Sequence, residues 1–250
     1  MINKINPDII HIFGTEFPHA LEAVESIQDK NKIIVSIQGL TSEIAKVYLR
    51  GIPIKEYLKG KYSNGKYQCL LSEKIEFFKR GINECNAISE VKNVIGRTDW
   101  DKKSVLQINP NCRYFYCNET LRNVFYEGKW DFNKIQKYSI FVSQAYYPIK
   151  GFHILIYAIQ KVKIIFPNVL VLVAGNKEFL NGTPYGIFIK KLIHKYKVEK
   201  NIIFLGSLSA ERVRLQLLNS HIMVMPSIIE NSPNSIGEAM LIGTPVIASN

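Results

Sequence analysis

The feature that most constrains the fold is a series of short, uninterrupted apolar runs separated by longer stretches of helical periodicity. The first four runs, rich in β-branched or aromatic residues, are DIIHIF (8–13), KIIVSIQ (32–38), VKNVIG (91–96) and CRYFYC (112–117). The second series is SIFVS (139–143), VLVLVA (169–174), NIIFLG (201–206), HIMVMP (221–226) and TPVIAS (244–249). Such runs are typical of strands buried on both faces of a parallel sheet. Their alternation with helices predicts an α/β fold of right-handed βαβ units in doubly wound sheets.

Capping signals place several helices between these strands. Thr98, with Asp101 three residues later, forms a capping box that predicts a helix over DWDKKSVLQI (99–108). Ser209 predicts a second helix over AERVRLQLLNS (210–220). Both helices would connect successive strands of their sheets.

Two further helices are predicted near the site discussed below. The segment GFHILIYAIQKVKIIF (151–166) has an amphipathic pattern. Its packed face is expected to hold Ile154, Leu155, Ala158, Ile159 and Val162. Another helix is expected over 233–242, with Ser232 as its N-cap and Gly243 ending it.

A polar segment, EGKWDFNKIQK (127–137), separates the two series of strands. We therefore expect two Rossmann-like domains, over residues 1–133 and 134–250, with a ligand bound at the carboxyl ends of the strands in a common cleft. The chain starts almost at a strand and stops directly after TPVIAS. For that reason we expect both domains to be incomplete.

The charge balance bears on partners and location. The formal net charge is +11, but the Lys and Arg residues are scattered, so we expect no nucleic acid partner. Peripheral contact with an anionic membrane is compatible with this charge and stays open. No signal peptide and no apolar run of about 20 residues is evident. The expected location is the cytoplasm, including the inner face of the membrane.

Two tempting motifs are weakened by their context, and two others are absent. Asp99 and Asp101 form an Asp-x-Asp pair, but they lie in the first turn of a predicted helix, where capping is the expected role. The four cysteines show no CxxC spacing, so no metal is expected. GKYSNGK (60–66) has Walker spacing, yet Tyr67 replaces the required Ser or Thr, which favours a flexible loop. No G-x-G-x-x-G follows a first strand, which argues against nicotinamide enzymes.

The most specific stretch is PSIIENSPNSIGEAMLIGTPVIAS (226–249). Glu230 and Glu238 lie on either side of a predicted helix start, and side chains on a helix lean toward its N-terminus, so both can face one ligand. The free N–H groups of the helix N-terminus suit a diphosphate. Two glutamates at this spacing are nevertheless common on solvated surfaces, so the pair alone does not identify a site.

This stretch resembles glycosyltransferase family 4, whose donor site carries two glutamates separated by seven residues, followed by GEAM and GTPVIAS. IKGFHILIYAI (149–159), PDIIHIFGTEF (7–17) and IGRTDWD (95–101) resemble further parts of that family. The resemblance is closest to members that build surface polysaccharides. It implies a GT-B fold and a retaining, metal-independent transfer of a sugar from a nucleotide diphosphate, of the UDP or GDP type, to a glycan or lipid-linked acceptor. No separate cofactor is implied.

The same resemblance assigns roles to residues of the donor site. Glu238 would hold the ribose hydroxyls, and Glu230 the hydroxyls of the donor sugar. The backbone at Asn234 and Ser235 would bind the diphosphate, and Lys150 would supply a cation to its phosphates. Family members often carry an arginine where this chain has Ala145, so phosphate neutralisation is expected to depend more heavily on Lys150.

The acceptor side departs from the family pattern. Many relatives have the pattern His-x-His where this chain has His11 and Phe13. His11 itself is expected to be a buried strand residue. Glu16 and His19 in the following loop, and Arg97 at the cleft edge, are the candidate acceptor contacts.

Two other functions stay open at this point. A sugar-nucleotide epimerase of the same fold would need acid and base residues that the sequence does not place. A non-catalytic nucleotide-sugar-binding module is suggested by Phe13 and Ala145. The motifs favour a glycosyltransferase over both of these alternatives.

Overall fold

The computed structural model describes residues 5–63 and 65–249. Its strands are β1 (Ile10–Phe13), β2 (Ile33–Ser36), β3 (Gly60–Ser63), β4 (Lys66–Cys69), β5 (Asn93–Gly96), β6 (Arg113–Tyr116), β7 (Gln136–Val142), β8 (Leu170–Val173), β9 (Ile202–Phe204), β10 (Ser220–Met225) and β11 (Val246–Ala248). Its α-helices are α1 (His19–Ser26), α2 (Thr41–Val47), α3 (Leu70–Glu90), α4 (Asp99–Ile108), α5 (Phe152–Ile165), α6 (Phe179–Gly182), α7 (Pro184–Lys195), α8 (Ala210–Asn219) and α9 (Asn234–Ile242). Strands therefore appear at all nine of the apolar runs.

Two compact units divide these elements between them. The first contains the chain up to Val47 together with Glu73–Glu119 and Glu230–Ser232. The second contains Tyr48–Ser72, Thr120–Ile229 and the chain from Pro233 onward. The sequence placed a single boundary after residue 133, whereas residues 120–133 pack with the second unit. Phe125, which is fully buried in the core of that unit, explains why.

The first unit is built on a four-stranded sheet in the order β1-β2-β5-β6, with all pairs parallel. Ile33, Val35 and Val94 are fully buried between the sheet and its helices. Strand β1 lies at the edge, where only Ile12 is buried. The N-terminus of α4 has the predicted capping box: the Thr98 hydroxyl accepts from the Asp101 N–H, and the Asp101 side chain accepts from the Thr98 N–H.

The second unit has a five-stranded parallel sheet in the order β11-β10-β7-β8-β9. Helix α8 begins as predicted, because the Ser209 side chain accepts from the N–H of Arg212. Helix α5 also forms, but the predicted packed face is partly wrong, since Ile154 and Ala158 are exposed. The helix begins at Phe152, and the buried residues follow the helical period from there: Phe152, Leu155, Ile156 and Ile159.

Two other local predictions need correction. Residues 60–63 and 66–69 are not a loop: they form β3 and β4, an antiparallel hairpin in the second unit, with Tyr62 opposite Tyr67. The Asn-Gly pair at 64 and 65 is a strong hairpin signal that outweighs the resemblance to a phosphate-binding loop. Ser232 is not a helix cap, because its φ is +52° and Pro233 takes the cap position of α9.

No helix in the described ranges is both long and apolar enough to cross a membrane.

Candidate functional site

The strand order of the second unit reverses at one point of the sheet, between β7 and β10. Strands β7 and β10 are neighbours, but the chain continues from β7 to β8 on one side and from β10 to β11 on the other. The strands are parallel, so the loops after β7 and β10 leave the same edge of the sheet. Open α/β sheets bind ligands at such a reversal of strand order, outside the carboxyl ends of the strands.

The loops after β7 and β10 are joined by their backbones. The N–H of Ile228 donates to the carbonyl oxygen of Ile149, with an N···O distance of 2.7 Å. Gly151 packs so closely that a Cβ there would lie 1.8 Å from the carbonyl oxygen of Pro226. Its φ of +64° also favours glycine, which is the residue found at the start of α5. Half-buried Lys150 is thereby held beside the loop that leads to α9.

Helix α9 presents its N-terminus at this same edge. Its cap is Pro233, whose side chain accepts no hydrogen bond from the helix. Asn234 is exposed, and half-buried Ser235 places its hydroxyl 3.7 Å from the sulfur of Met225 at the end of β10. A helix N-terminus with this dipole favours an anion. Lys150, Asn234 and Ser235 thus share one edge of one unit.

Glu238 lies in the second turn of α9 and is only 2% exposed. Its two carboxylate oxygens accept from Arg122 in a bidentate pair, with Nε–Oε1 and Nη2–Oε2 distances of 2.7 and 2.8 Å. The hydrogen bonds to Glu238 raise the pKa of Arg122. The sequence did not identify Arg122, and no short-range pattern points to it, because its partner is 116 positions away.

Glu230 belongs to the first unit, together with Asn231 and Ser232. The Asn231 side chain is well defined there: its oxygen accepts from the Thr98 hydroxyl at 2.8 Å, and its nitrogen donates to Asp101 at 2.9 Å. Of the predicted donor-site residues, Lys150, Asn234, Ser235 and Glu238 therefore belong to the second unit, whereas Glu230 belongs to the first.

A small cavity of about 190 Å³ opens at the carboxyl ends of the strands of the first unit. Arg97 lines it, with Nη1 at 3.1 Å from Glu119 and Nη2 donating to the Gln38 carbonyl at 3.2 Å. The Nε of Arg97 is buried and has no hydrogen-bond partner among the described residues.

The other acceptor candidates lie near this cavity in the chain but do not line it. Glu16 folds back over Gly14, where an added Cβ would lie 2.3 Å from its Oε2. The Nε2 atom of His19 is 3.4 Å from the carbonyl oxygen of Phe13. Of the three candidates, only Arg97 therefore contributes to the cavity.

The prediction that His11 is buried is wrong. Its side chain is exposed on edge strand β1, contacts the tilted ring of Phe13 with centroids 4.0 Å apart, and has Nε2 at 2.6 Å from the hydroxyl oxygen of Ser36. An edge strand whose single buried residue is Ile12 cannot bury its neighbours on the opposite face. His11 and Phe13 instead line the cavity beside Arg97.

The Asp-x-Asp pair is occupied by local contacts. Asp101 is fully buried and accepts from the backbone N–H of Arg97 at 2.9 Å and from the hydroxyl of Tyr114. Asp99 accepts from the hydroxyl of Tyr116. Within residues 5–63 and 65–249, no group of three or more His, Cys, Asp or Glu side chains is arranged to hold a metal ion.

Known proteins support the α/β architecture. Residues 125–250 match the model of the family described as Glycosyl transferases group 1. None of the curated proteins compared with the chain matches it. Among solved structures, a sucrose-phosphate synthase from Thermosynechococcus elongatus is 15% identical, with a TM-score of 0.68 over 99% of this chain and 57% of that one.

Two other solved structures show the same architecture at similar identity. TarM from S. aureus is 16% identical, with a TM-score of 0.54 over 92% of this chain and 44% of its own. WaaG, described as a glycosyltransferase involved in lipopolysaccharide biosynthesis, is 13% identical, with a TM-score of 0.53 over 96% of this chain and 80% of its own. This chain therefore spans little more than half of the synthase and less than half of TarM.

At these identities the likeness is one of fold, and the two α/β units have the GT-B architecture. The family match covers the whole sheet of the second unit, including the joined loops, Lys150 and helix α9. Because the match extends over half of the sequence, the chain belongs to the glycosyl transferases group 1 family.

Proposed function

We propose that this chain is the donor-binding part of a retaining glycosyltransferase of family 4 that moves a sugar from a nucleotide diphosphate to an acceptor hydroxyl. The observation that carries the proposal is the joined pair of loops at the reversal of strand order. There Lys150 is held by Gly151 beside the segment leading to the N-terminus of α9. A cation and a helix N-terminus at one sheet edge form an environment for a diphosphate.

The proposed chemistry needs little from the protein besides electrostatics. The bond from the anomeric carbon to the phosphate oxygen breaks, and the acceptor oxygen forms the new bond on the same face of the sugar. The acceptor proton leaves with the departing phosphate oxygen. Lys150 and the α9 N-terminus stabilise the negative charge that develops on the diphosphate, without a metal ion. Glu238 holds the ribose hydroxyls, and Glu230 holds hydroxyls of the donor sugar.

The neighbouring structures support the proposed substrate classes. A structure of TarM contains UDP, which supports a donor of the UDP or GDP type for this chain. WaaG is described as acting in lipopolysaccharide biosynthesis, which supports a glycan or lipid-linked acceptor and a role in surface polysaccharide synthesis. The net charge of +11 supports peripheral contact with an anionic membrane at its cytoplasmic face. Arg97 and its cavity, with Glu16 and His19 nearby, are the proposed acceptor side.

Thermal unfolding in the presence of UDP, GDP and their sugar conjugates tests the donor site. A nucleotide at about 100 times its Kd should stabilise the folded chain by roughly 2.7 kcal/mol. Lys150→Ala should remove most of that stabilisation. Lys161→Ala, an exposed lysine on α5, is the matched control and should leave it unchanged. No stabilisation by any of these nucleotides would overturn the proposal.

Analysis of the reaction products separates the competing functions. Release of an epimerised nucleotide sugar without acceptor would favour an epimerase. Tight donor binding with neither hydrolysis nor transfer in the full-length enzyme would favour a binding module. In that enzyme, Lys150→Ala should lower kcat by more than it raises the donor KM, because its charge matters most as the diphosphate departs.

A further inference from the structure

The pair formed by Glu238 and Arg122 is asymmetric in its exposure. The Glu238 side chain is 3% exposed, whereas the Arg122 side chain is 53% exposed. Both carboxylate oxygens are bound, and the bonds come from Nε and Nη2 of the guanidinium. The Nη1 amino group lies outside the pair. The exposed member of this pair is thus the cation and not the carboxylate to which a ligand role was assigned.

Arg122 is held in place by contacts other than the carboxylate. Its guanidinium lies over the ring of Phe125, with its central carbon 4.8 Å from the ring centroid. Phe125 is fully buried, which anchors the 3-10 turn Asn123–Tyr126 in the core. Leu121 packs on Gly237 of α9, where an added Cβ would lie 3.2 Å from a Leu121 methyl carbon. The segment Leu121–Tyr126 therefore lies against α9 on both sides of Arg122.

The bidentate pair determines how the Glu238 carboxylate is oriented. A carboxylate held by two parallel N–H···O bonds from one guanidinium turns less freely than one held by a single bond. Arg122 therefore fixes the orientation of the Glu238 oxygens, which still have lone pairs outside the pair.

We propose that Arg122 is a positioning residue of the donor site, which holds the Glu238 carboxylate oriented for the ribose hydroxyls of a nucleoside diphosphate. The inference deepens the proposed function and rests on it. It assigns a ligand-binding consequence to a residue outside every motif of the sequence. Without Arg122, the ribose would meet a buried carboxylate in no fixed orientation.

Equilibrium binding of UDP and GDP to the 250-residue chain tests the inference. At pH 7.5, Arg122→Ala and Glu238→Gln should each raise the Kd of the bound nucleotide about tenfold or more, as expected for losing a charged hydrogen bond. The double variant should be no weaker than the weaker single variant, because both changes remove the same contact. Arg122→Lys should recover part of the affinity, since it restores the charge but not the bidentate geometry.

Rescue by the conservative variant separates positioning from a general loss of structure. Partial recovery of affinity in Arg122→Lys, together with a double variant no weaker than the weaker single variant, is expected only if Arg122 acts through Glu238.

A matched control loosens the same segment without touching Glu238. Arg214 on α8 donates to the carbonyl oxygen of Glu127 at 3.2 Å, just beyond the Leu121–Tyr126 segment. Arg214→Ala should leave the Kd within about twofold. If the wild type binds nucleotide and Arg122→Ala binds it with an unchanged Kd, the inference alone is overturned. Absence of wild-type binding to both nucleotides would overturn the proposed function and the inference together.

Discussion

Glu84 in the first unit and Glu238 in the second are both buried carboxylates on helices, but their partners differ in kind. Glu84 accepts only from neutral donors: the Thr15 hydroxyl, the backbone N–H groups of Thr41 and Ser42, and the Ser42 hydroxyl, at distances between 2.7 and 3.0 Å. Glu238 accepts from a guanidinium that is half exposed. The two carboxylates are therefore buried to a similar degree, but they differ in how far solvent reaches their partners.

This difference distinguishes a carboxylate that stabilises the fold from one that can bind a ligand. Glu84 closes the N-terminus of α2 and joins it to the loop after β1, so its oxygens are committed to the fold. Its pKa is raised, because burial outweighs the hydrogen bonds it accepts. Glu238 instead pairs with Arg122, whose side chain is 53% exposed. The first carboxylate should govern stability and the second should govern binding.

The largest effect is expected for Glu84→Ala, which leaves the hydroxyl of Thr15 and two backbone N–H groups without their acceptor. We expect the free energy of unfolding to fall by about 3 kcal/mol or more. Urea denaturation followed by circular dichroism measures it. Glu90→Ala is the control on the same helix: its pair with Lys30 is partly exposed, and its loss should cost about 1 kcal/mol or less. Equal costs for both variants would contradict a special role for Glu84.

An intermediate effect is expected for Glu238→Gln, measured this time as nucleotide affinity. Its Kd for UDP or GDP should rise about tenfold, which is about 1.4 kcal/mol, while unfolding changes by about 1 kcal/mol. Stability suffers less than in Glu84→Ala because the half-exposed Arg122 stays hydrated when its partner is lost.

Glu56 supplies the matched control for that measurement. It is a 7% exposed carboxylate of the second unit, paired with Lys59 at 2.7 Å and Lys191 at 3.3 Å. Its partners are half-exposed cations, as is the partner of Glu238. One of them, Lys191, belongs to α7 and not to α9. Glu56→Gln should therefore leave the Kd unchanged. If Glu56→Gln and Glu238→Gln weakened binding equally, the loss of affinity would result from destabilisation of the unit and not from a change at the binding site.

A structural feature can be predicted from the sequence when the residues that determine it lie close together in the chain. The strands and the Thr98 cap follow from neighbouring residues, so they were predictable. The start of α9 was misplaced by one residue because Ser232 takes a left-handed conformation that its residue type does not signal. The contact between Arg122 and Glu238 joins parts of the chain 116 positions apart, and no local pattern encodes such a pair. The sequence motif identified Glu238, whereas its partner Arg122 was identified from the structure.

A smaller effect concerns the pH dependence of stability. Burial raises the pKa of Glu84 in the folded chain above its ordinary range, so the folded form binds the proton more tightly than the unfolded form. The stability from this group is present below the unfolded pKa and is lost as pH rises through the folded pKa. The slope cannot exceed about 1.4 kcal/mol per pH unit. Between pH 4.5 and pH 8, the wild type should therefore lose urea resistance relative to Glu84→Gln. A constant difference would mean that the four donors offset burial.

The smallest effect, essentially none, is expected when divalent metal is removed. The first unit contains the one Asp-x-Asp motif of the sequence, and its two carboxylates are used in different ways. Asp101 is fully buried and accepts from the N–H of Arg97 and from Tyr114, while exposed Asp99 accepts from Tyr116. A metal would have to displace these donors and find further ligands, since hard cations usually take about six oxygen ligands.

In the proposed donor site, Lys150 and the α9 N-terminus would provide the positive charge that a metal would otherwise bring to a diphosphate. Excess EDTA should therefore leave the Kd for UDP or GDP unchanged, and Asp99→Asn should do the same. Tighter nucleotide binding on adding manganese, lost in Asp99→Asn, would show that the carboxylates of the first unit also serve the ligand. The contrast between a structural and a ligand-binding set of carboxylates would then no longer hold.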